Sequence, residues 1–311
     1  MGKTGSPEPV NGVLMDRVRV VRHVALDLDG TLYRGRTVFQ DTVPFLKLLR
    51  GFGIGRTFLT NNPSKQPAEL LAHLRQLGID ADESELYTSA HATIELLRTR
   101  FPGIRRVFLL GTPGLADTFS RAGFELTSDS PNDQPDAVVV GFDLTLTHSR
   151  LCRAAWWIER GVPWFATNPD RVCPTDQPTV LVDCGSICAA PSAATGRSPL
   201  AIAGKPDPAM LHGILHRHAL KPPELAMIGD RLYTDIAMAR ETGALAVLVL
   251  TGETKPEQAA NANPAPDVVV ATLGEFGVLI AESRNRASFS AAPQSKSPTR
   301  PVSPCESTNP L

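Results

Sequence analysis

The chain has 311 residues, enough for two modest domains or for one domain carrying a large insertion. Apolar residues make up 42% and charged residues 20%, an ordinary soluble balance, and the formal net charge of −1 offers no electrostatic basis for holding nucleic acid. No run approaches the roughly 18 apolar residues that cross a bilayer, and residues 1–19 lack the apolar centre of a secretory signal, so a cytosolic location without membrane attachment is expected.

Residues 1–17 mix Pro, Gly and charges and are expected to form a flexible tail. The first predicted element is a strand over residues 18–28, VRVVRHVALDL, which Asp29-Gly30-Thr31 ends. A helix is predicted over residues 42–49. The glycines of GFGIGR then turn the chain into a strand, TFLT, at residues 57–60. They precede a strand and lack the GxGxxG spacing, which removes a dinucleotide-binding reading. Asn61-Asn62-Pro63-Ser64 forms a loop, and residues 66–77 have helical apolar spacing. Strand, helix, strand, helix is the opening of a parallel, doubly wound α/β sheet.

Residues 90–202 carry an α/β pattern of their own, with strands expected at 106–110, 137–140 and 164–166 and helices at 115–122 and 149–160. This stretch reads as a smaller inserted domain, splitting a core into residues 18–89 and 203–282. In the second core part a helix is expected over 208–220, a strand over 225–228 and a helix over 234–242. An almost wholly apolar strand at 244–250 suits burial on both faces, and a last strand is expected at 267–270. Residues 283–311, rich in Ser, Pro, Ala and Thr, are expected to be disordered. The five cysteines, Cys152, Cys173, Cys184, Cys188 and Cys305, are odd in number and irregularly spaced, so neither a disulfide framework nor a zinc site is expected.

The sharpest chemical signal is Asp27-Leu28-Asp29-Gly30-Thr31. A period of two aims both carboxylates to one side at the end of a strand, where ligands bind in doubly wound sheets. One carboxylate can attack phosphorus as a nucleophile and the other can shuttle the proton of the leaving oxygen. A calcium loop is a poorer reading, because the third Asp and the Glu at position 12 of that motif are missing. Gly229-Asp230, with Asp235 following, again stands just after a short apolar strand. Asp230 could join Asp27 around a hard divalent ion such as Mg²⁺, or could simply cap a helix. Thr60, Asn61 and Lys205 supply a hydroxyl, an amide and an ammonium, groups suited to phosphoryl oxygens.

Taken together, DLDGT, LTN, GKPDP and GDRLYTD stand in the order of the four motifs of the haloacid dehalogenase-like (HAD) superfamily, which this sequence resembles over about residues 18–280. The insertion between the second and third motifs is similar to a type II (IIA) cap. LTNNPSK, VVVGFD, FATNPD, GKPDPAML and MIGDRLYTDI resemble the branch of NagD-type nucleotide phosphatases, 4-nitrophenylphosphatases, phosphoglycolate phosphatase and pyridoxal phosphatase. The resemblance implies a Mg²⁺-dependent phosphatase acting on a small phosphorylated metabolite. Asp27 would be its nucleophile and Asp29 its general acid/base. Asp27, the Asp29 carbonyl and Asp230 would ligate the metal, with Asp235 in support. Thr60, Asn61 and Lys205 would hold the phosphoryl group, and a homodimer would form through the cap. Where relatives carry a Gly-rich stretch late in the cap, this chain has VDCGSIC at residues 182–188, making Asp183 and Ser186 candidate substrate contacts. Asp143, Asn168 and Asp170 are read as loop organisers. The alternatives are a receiver-type phosphorylation switch, which shares the Asp, Thr and Lys but has no use for Asp29 or a cap, and a catalytically idle binding module, which has no need of the full motif set.

Overall fold

The computed structural model describes residues 12–64, 66–173 and 178–290. Two parallel sheets organise it. The larger has six strands in the order Val268–Val270, Leu245–Val249, Leu225–Gly229, His23–Asp27, Gly55–Thr60, Leu86–Thr88, all parallel. The chain leaves His23–Asp27 toward one edge and later returns on its other side, so the strand order reverses beside this central strand. In open α/β sheets that reversal opens a crevice at the carboxyl ends of the strands.

The second sheet is an insertion between the two halves of the first. Its order is Ala201–Ile202, Trp164–Ala166, Ala137–Val140, Arg106–Leu110, Glu125–Leu126, again parallel throughout. Ala137–Val140 and Leu245–Val249 are buried at every position, as unbroken apolar runs between two helical layers must be. The sheets are not independent bodies. One apolar cluster runs from Ala25 and Leu59 in the core, through Leu97 of the helix Ser89–Arg100 and Met210 of Ala209–Arg217, to Val107, Val139 and Phe165 of the insertion. The opposite face of each sheet has a cluster of its own, around Phe58 and Phe276 in the core and around Trp157 and Trp164 in the cap.

Several elements depart from the sequence expectation. The strand predicted from residue 18 begins at His23, and the stretch before it is a helix, Gly12–Arg19, in what reads as a tail. Val20 is exposed, so the alternation that suggests a strand does not continue through it. Met15 and Val18, three residues apart, bury one helical face against the C-terminal helix, and Arg17 pairs with Asp267 at 2.6 Å. That C-terminal helix, Leu273–Ser290, continues past residue 283, where disorder is expected; Ser283 is buried and Arg284 donates to the Val21 carbonyl. The helix Cys184–Thr195 has no counterpart among the predicted elements, because Gly185, Pro191 and a run of small residues hide its period. Residues 1–11 and 291–311, including Cys305, lie outside the described residues.

Candidate active site

Strand register brings the predicted stations to one rim. Asp27, the last residue of its strand, pairs with Leu59, so Thr60 follows at the same edge; Leu26 pairs with Ile228, so Gly229 and Asp230 complete the edge on the other side. The chain re-enters the core at Gly204-Lys205, and the ammonium of Lys205, a residue 3% exposed, lies between two carboxylates. It donates to Asp27 Oδ1 and, at 2.8 Å, to Asp235 Oδ1. Burial alone would lower the lysine pKa, but the charges of Asp235 and Asp27 overcome this and raise it, so the ammonium is held charged. One π turn, Leu232–Ile236, rotates Asp235 fully into the interior behind Asp230.

Among the described residues, Asp27, Asp230 and Asp235 each offer a carboxylate oxygen, and these oxygens lie within 4.8 Å of one another. Asp230 Oδ2 accepts from Glu253 N at 2.6 Å, whereas Asp230 Oδ1 is buried and has no hydrogen-bond partner. An orphaned carboxylate oxygen is costly unless a cation meets it. The pKa of Asp230 is raised by burial first, then by the charges of Asp27 and Asp235. Loss of solvent and a surplus of negative charge with all-oxygen donors fit a hard divalent cation. Two glycines are required for the arrangement. A Cβ on Gly30 would come 2.5 Å from Asp230 Oδ2, and one on Gly252 would come within 1.9 Å.

Asp29 lines the cavity above this cluster. Its pKa is raised, by partial loss of solvent first and by the Asp27 charge second, against the pull of Arg231 and Arg34. A carboxyl so biased can carry a proton to a leaving oxygen. Thr31 Oγ1 donates to Asp27 Oδ2 at 3.4 Å, so hydroxyl and lysine hold the two oxygens of Asp27 between them.

The cavity has a volume of about 550 Å³, and both domains line it. Thr60 and Asn61 stand on its core side; the Thr60 hydroxyl accepts from Asn62 N at 3.1 Å. Asp183 faces it from the cap, capping its helix by accepting from Cys184 N, and burial pushes its pKa up to about 6. Ser186 does not line the cavity. Its hydroxyl donates to the Arg171 carbonyl at 2.7 Å. Asp143 accepts from Thr145 N and Oγ1 and organises its own loop. Tyr33, Arg36, His73 and Arg231 also line the cavity without being singled out by sequence reasoning, as does Cys173, for which the sequence suggests neither a disulfide nor a zinc role. Only Arg231 had a local signal, standing directly after Asp230. The Thr251–Glu253 segment that completes the acidic cluster carries no chemical motif.

The chain is similar to known proteins. The haloacid dehalogenase-like hydrolase family matches residues 24–125, and a HAD-hydrolase-like family matches residues 202–276. An acid sugar phosphatase of Staphylococcus aureus is 34% identical over 250 residues, covering 80% of this chain and 94% of that protein. The crystal structure of a 4-nitrophenylphosphatase from Thermotoga maritima superposes with a TM-score of 0.79 at 38% identity, covering 84% of this chain and 98% of that one. A glycerol phosphate phosphatase from Mycobacterium tuberculosis, crystallised with magnesium, gives a TM-score of 0.77 at 34% identity over 84% of this chain and 78% of that one. With its motifs converging on one crevice beneath an inserted cap, the chain belongs to the haloacid dehalogenase-like hydrolase family and is a phosphoric monoester hydrolase of the NagD-like branch.

Proposed function

We propose that the enzyme is Mg²⁺-dependent, that it works through an aspartyl-phosphate on Asp27, and that its substrates are small phosphomonoesters whose leaving group carries hydroxyls. The observation that carries this reading is the convergence of Asp27, Asp230 and Asp235 within 4.8 Å, with Lys205 bridging Asp27 and Asp235. Asp27 and Asp230, with the Asp29 carbonyl, would hold the cation. When bound, it supplies positive charge against which a phosphoryl dianion can approach a carboxylate.

An Asp27 oxygen attacks phosphorus in line with the ester oxygen. As the phosphorus–oxygen bond of the ester breaks, Asp29 gives its proton to the leaving alkoxide. Lys205, with Thr60 and the amides of its loop, neutralises and orients the transferring phosphoryl oxygens. Asp29, now ionised, takes a proton from water; the water oxygen attacks the aspartyl-phosphate, and phosphate leaves with Asp27 restored. Asp235 keeps Lys205 charged and in place throughout. Asp183 and His73 on the cavity wall suit hydroxyl groups, and two of the relatives are named for sugar and glycerol phosphates.

The test is phosphate release from 4-nitrophenyl phosphate, glycerol phosphate, sugar phosphates and phosphoglycolate, with Mg²⁺ and with EDTA, for the wild type and Asp27→Asn. Metal-dependent turnover that disappears in Asp27→Asn, with polyol esters preferred, is expected. Folded protein without turnover on any ester would sink the proposal.

A further inference from the structure

Asn61 stands where a phosphoryl ligand is expected, yet its side-chain amide is already committed. Oδ1 accepts from Lys205 N at 2.7 Å. Nδ2 donates to the Lys205 carbonyl at 3.1 Å and to Asp170 Oδ2 at 3.0 Å. The network forces the orientation of the amide, since Lys205 N–H needs an acceptor and the Lys205 carbonyl a donor. Both amide hydrogens are therefore used, and the side chain grips the two main-chain polar groups of one residue as a neighbouring strand would.

The third partner comes from the cap. Asp170 lies in the loop after the strand Trp164–Ala166, 109 residues from Asn61 in sequence. That loop does not need the Asp170 carboxylate for its own turn, because Asn168 Oδ1 accepts from Asp170 N at 2.9 Å. Asn168 Nδ2 donates to the Asn61 carbonyl at 3.0 Å, a second link between the domains. Close approach is built in at the junction. A Cβ on Gly204 would lie 2.6 Å from the Thr167 carbonyl oxygen, 2.7 Å from Asn61 Oδ1 and 2.8 Å from Asn168 Cβ.

We infer that Asn61 is a positioning residue, whose side chain clamps the main chain of Lys205 while Asp170 of the cap locks the clamp. Docking of the cap and aim of the Lys205 ammonium are then one event. The inference rests on the phosphatase reading only in giving Lys205 work in phosphoryl transfer. The clamp itself is structural and can be read without turnover.

The experiment compares wild type, Asp170→Ala, Asp170→Asn, Asn61→Ala and the double alanine variant, all as full chains. Two readouts are used: kcat and KM on 4-nitrophenyl phosphate, and amide hydrogen exchange of the peptide containing Lys205. Loss of a hydrogen bond to a charged acceptor changes an equilibrium roughly tenfold or more. Asp170→Ala is therefore expected to lower kcat about tenfold, to leave KM within about twofold, and to speed Lys205 amide exchange about tenfold. Asp170→Asn keeps an acceptor oxygen and should retain most of both. The double variant should be no worse than Asn61→Ala, because one link is being cut twice. Wild-type exchange and kcat in Asp170→Ala overturn the inference, as do multiplicative effects in the double variant or no rescue by Asp170→Asn. A wild type without turnover defeats the phosphatase reading instead, and the exchange data then decide the clamp alone.

Discussion

Replacing Lys205 by Met removes the cation that lies between Asp27 and Asp235 while keeping most of the side-chain volume. Asp235 is fully buried, and after the change its hydrogen-bond partner would be Arg231 N at 3.2 Å. Removing one partner of a buried ion pair costs about 3–5 kcal/mol, because it strands the other charge. Unfolding followed by far-UV circular dichroism, with EDTA present so that no metal stands in for the ammonium, should show that loss at pH 8. The corresponding fall in melting temperature is on the order of 10 °C. The sign of the pH dependence follows from Asp235. Its pKa is already raised by burial, and Lys205 is what pulls it down. Without the lysine the folded-state pKa rises further above the unfolded value. The penalty is therefore greatest at high pH and relieved as pH falls through the folded pKa and the carboxyl takes up a proton. The variant should lie closer to wild type at pH 5.5 than at pH 8. Turnover should fall by about 10²–10³-fold, the usual cost of losing one charge-stabilising group. A stability loss below about 1 kcal/mol at pH 8, or one that does not shrink on acidification, would refute the assignment of Lys205 as the buried counter-charge.

Two further expectations come from other parts of the fold. Gly252→Ala puts a methyl group 1.9 Å from Asp230 Oδ2, so the carboxylate must move by about 1 Å, beyond the roughly 0.5 Å that a binding constellation tolerates. The Mg²⁺ concentration for half-maximal thermal stabilisation should rise at least about tenfold, and an unchanged Mg²⁺ titration would contradict the steric argument. His23 is buried, shares a 2.8 Å hydrogen bond with Thr57, and has its pKa lowered to about 3 by burial first and by His218 second. A lowered histidine pKa contributes stability above the unfolded value that is lost as pH falls below it. His23 should therefore cost about 2 kcal/mol between pH 7 and pH 5, and His23→Gln should flatten that part of the stability profile; identical slopes would speak against it.

Much of the site is legible in the chain before any folding. Asp27 and Asp29 share a side because a strand repeats every two residues, and Asp230 and Asp235 follow a short apolar run that reads as a buried strand. Alternation of such runs with helical patterns is enough to imply a doubly wound sheet with an insertion. These are local signals, carried by spacings of a few residues. The misreadings are local too: residues 18–22 look like the strand they precede, and the small residues of Cys184–Thr195 mask a helix.

Other features are fixed by contacts between residues far apart in the chain, which no local period encodes. The Gly252 and Glu253 backbone that shapes Asp230 arrives from a loop without a motif. Asp183 lines the cavity, whereas Ser186 gives its hydroxyl to the Arg171 carbonyl, 15 residues away in sequence. Asn61 shows the difference most plainly. The family resemblance offers it as a phosphoryl ligand, and the partners its amide takes in the fold, Asp170 and Lys205, lie 109 and 144 residues away. A side chain with both donors and an acceptor takes whatever the tertiary packing brings to it. Its residue type shows what bonds it can make, and the folded chain sets with whom.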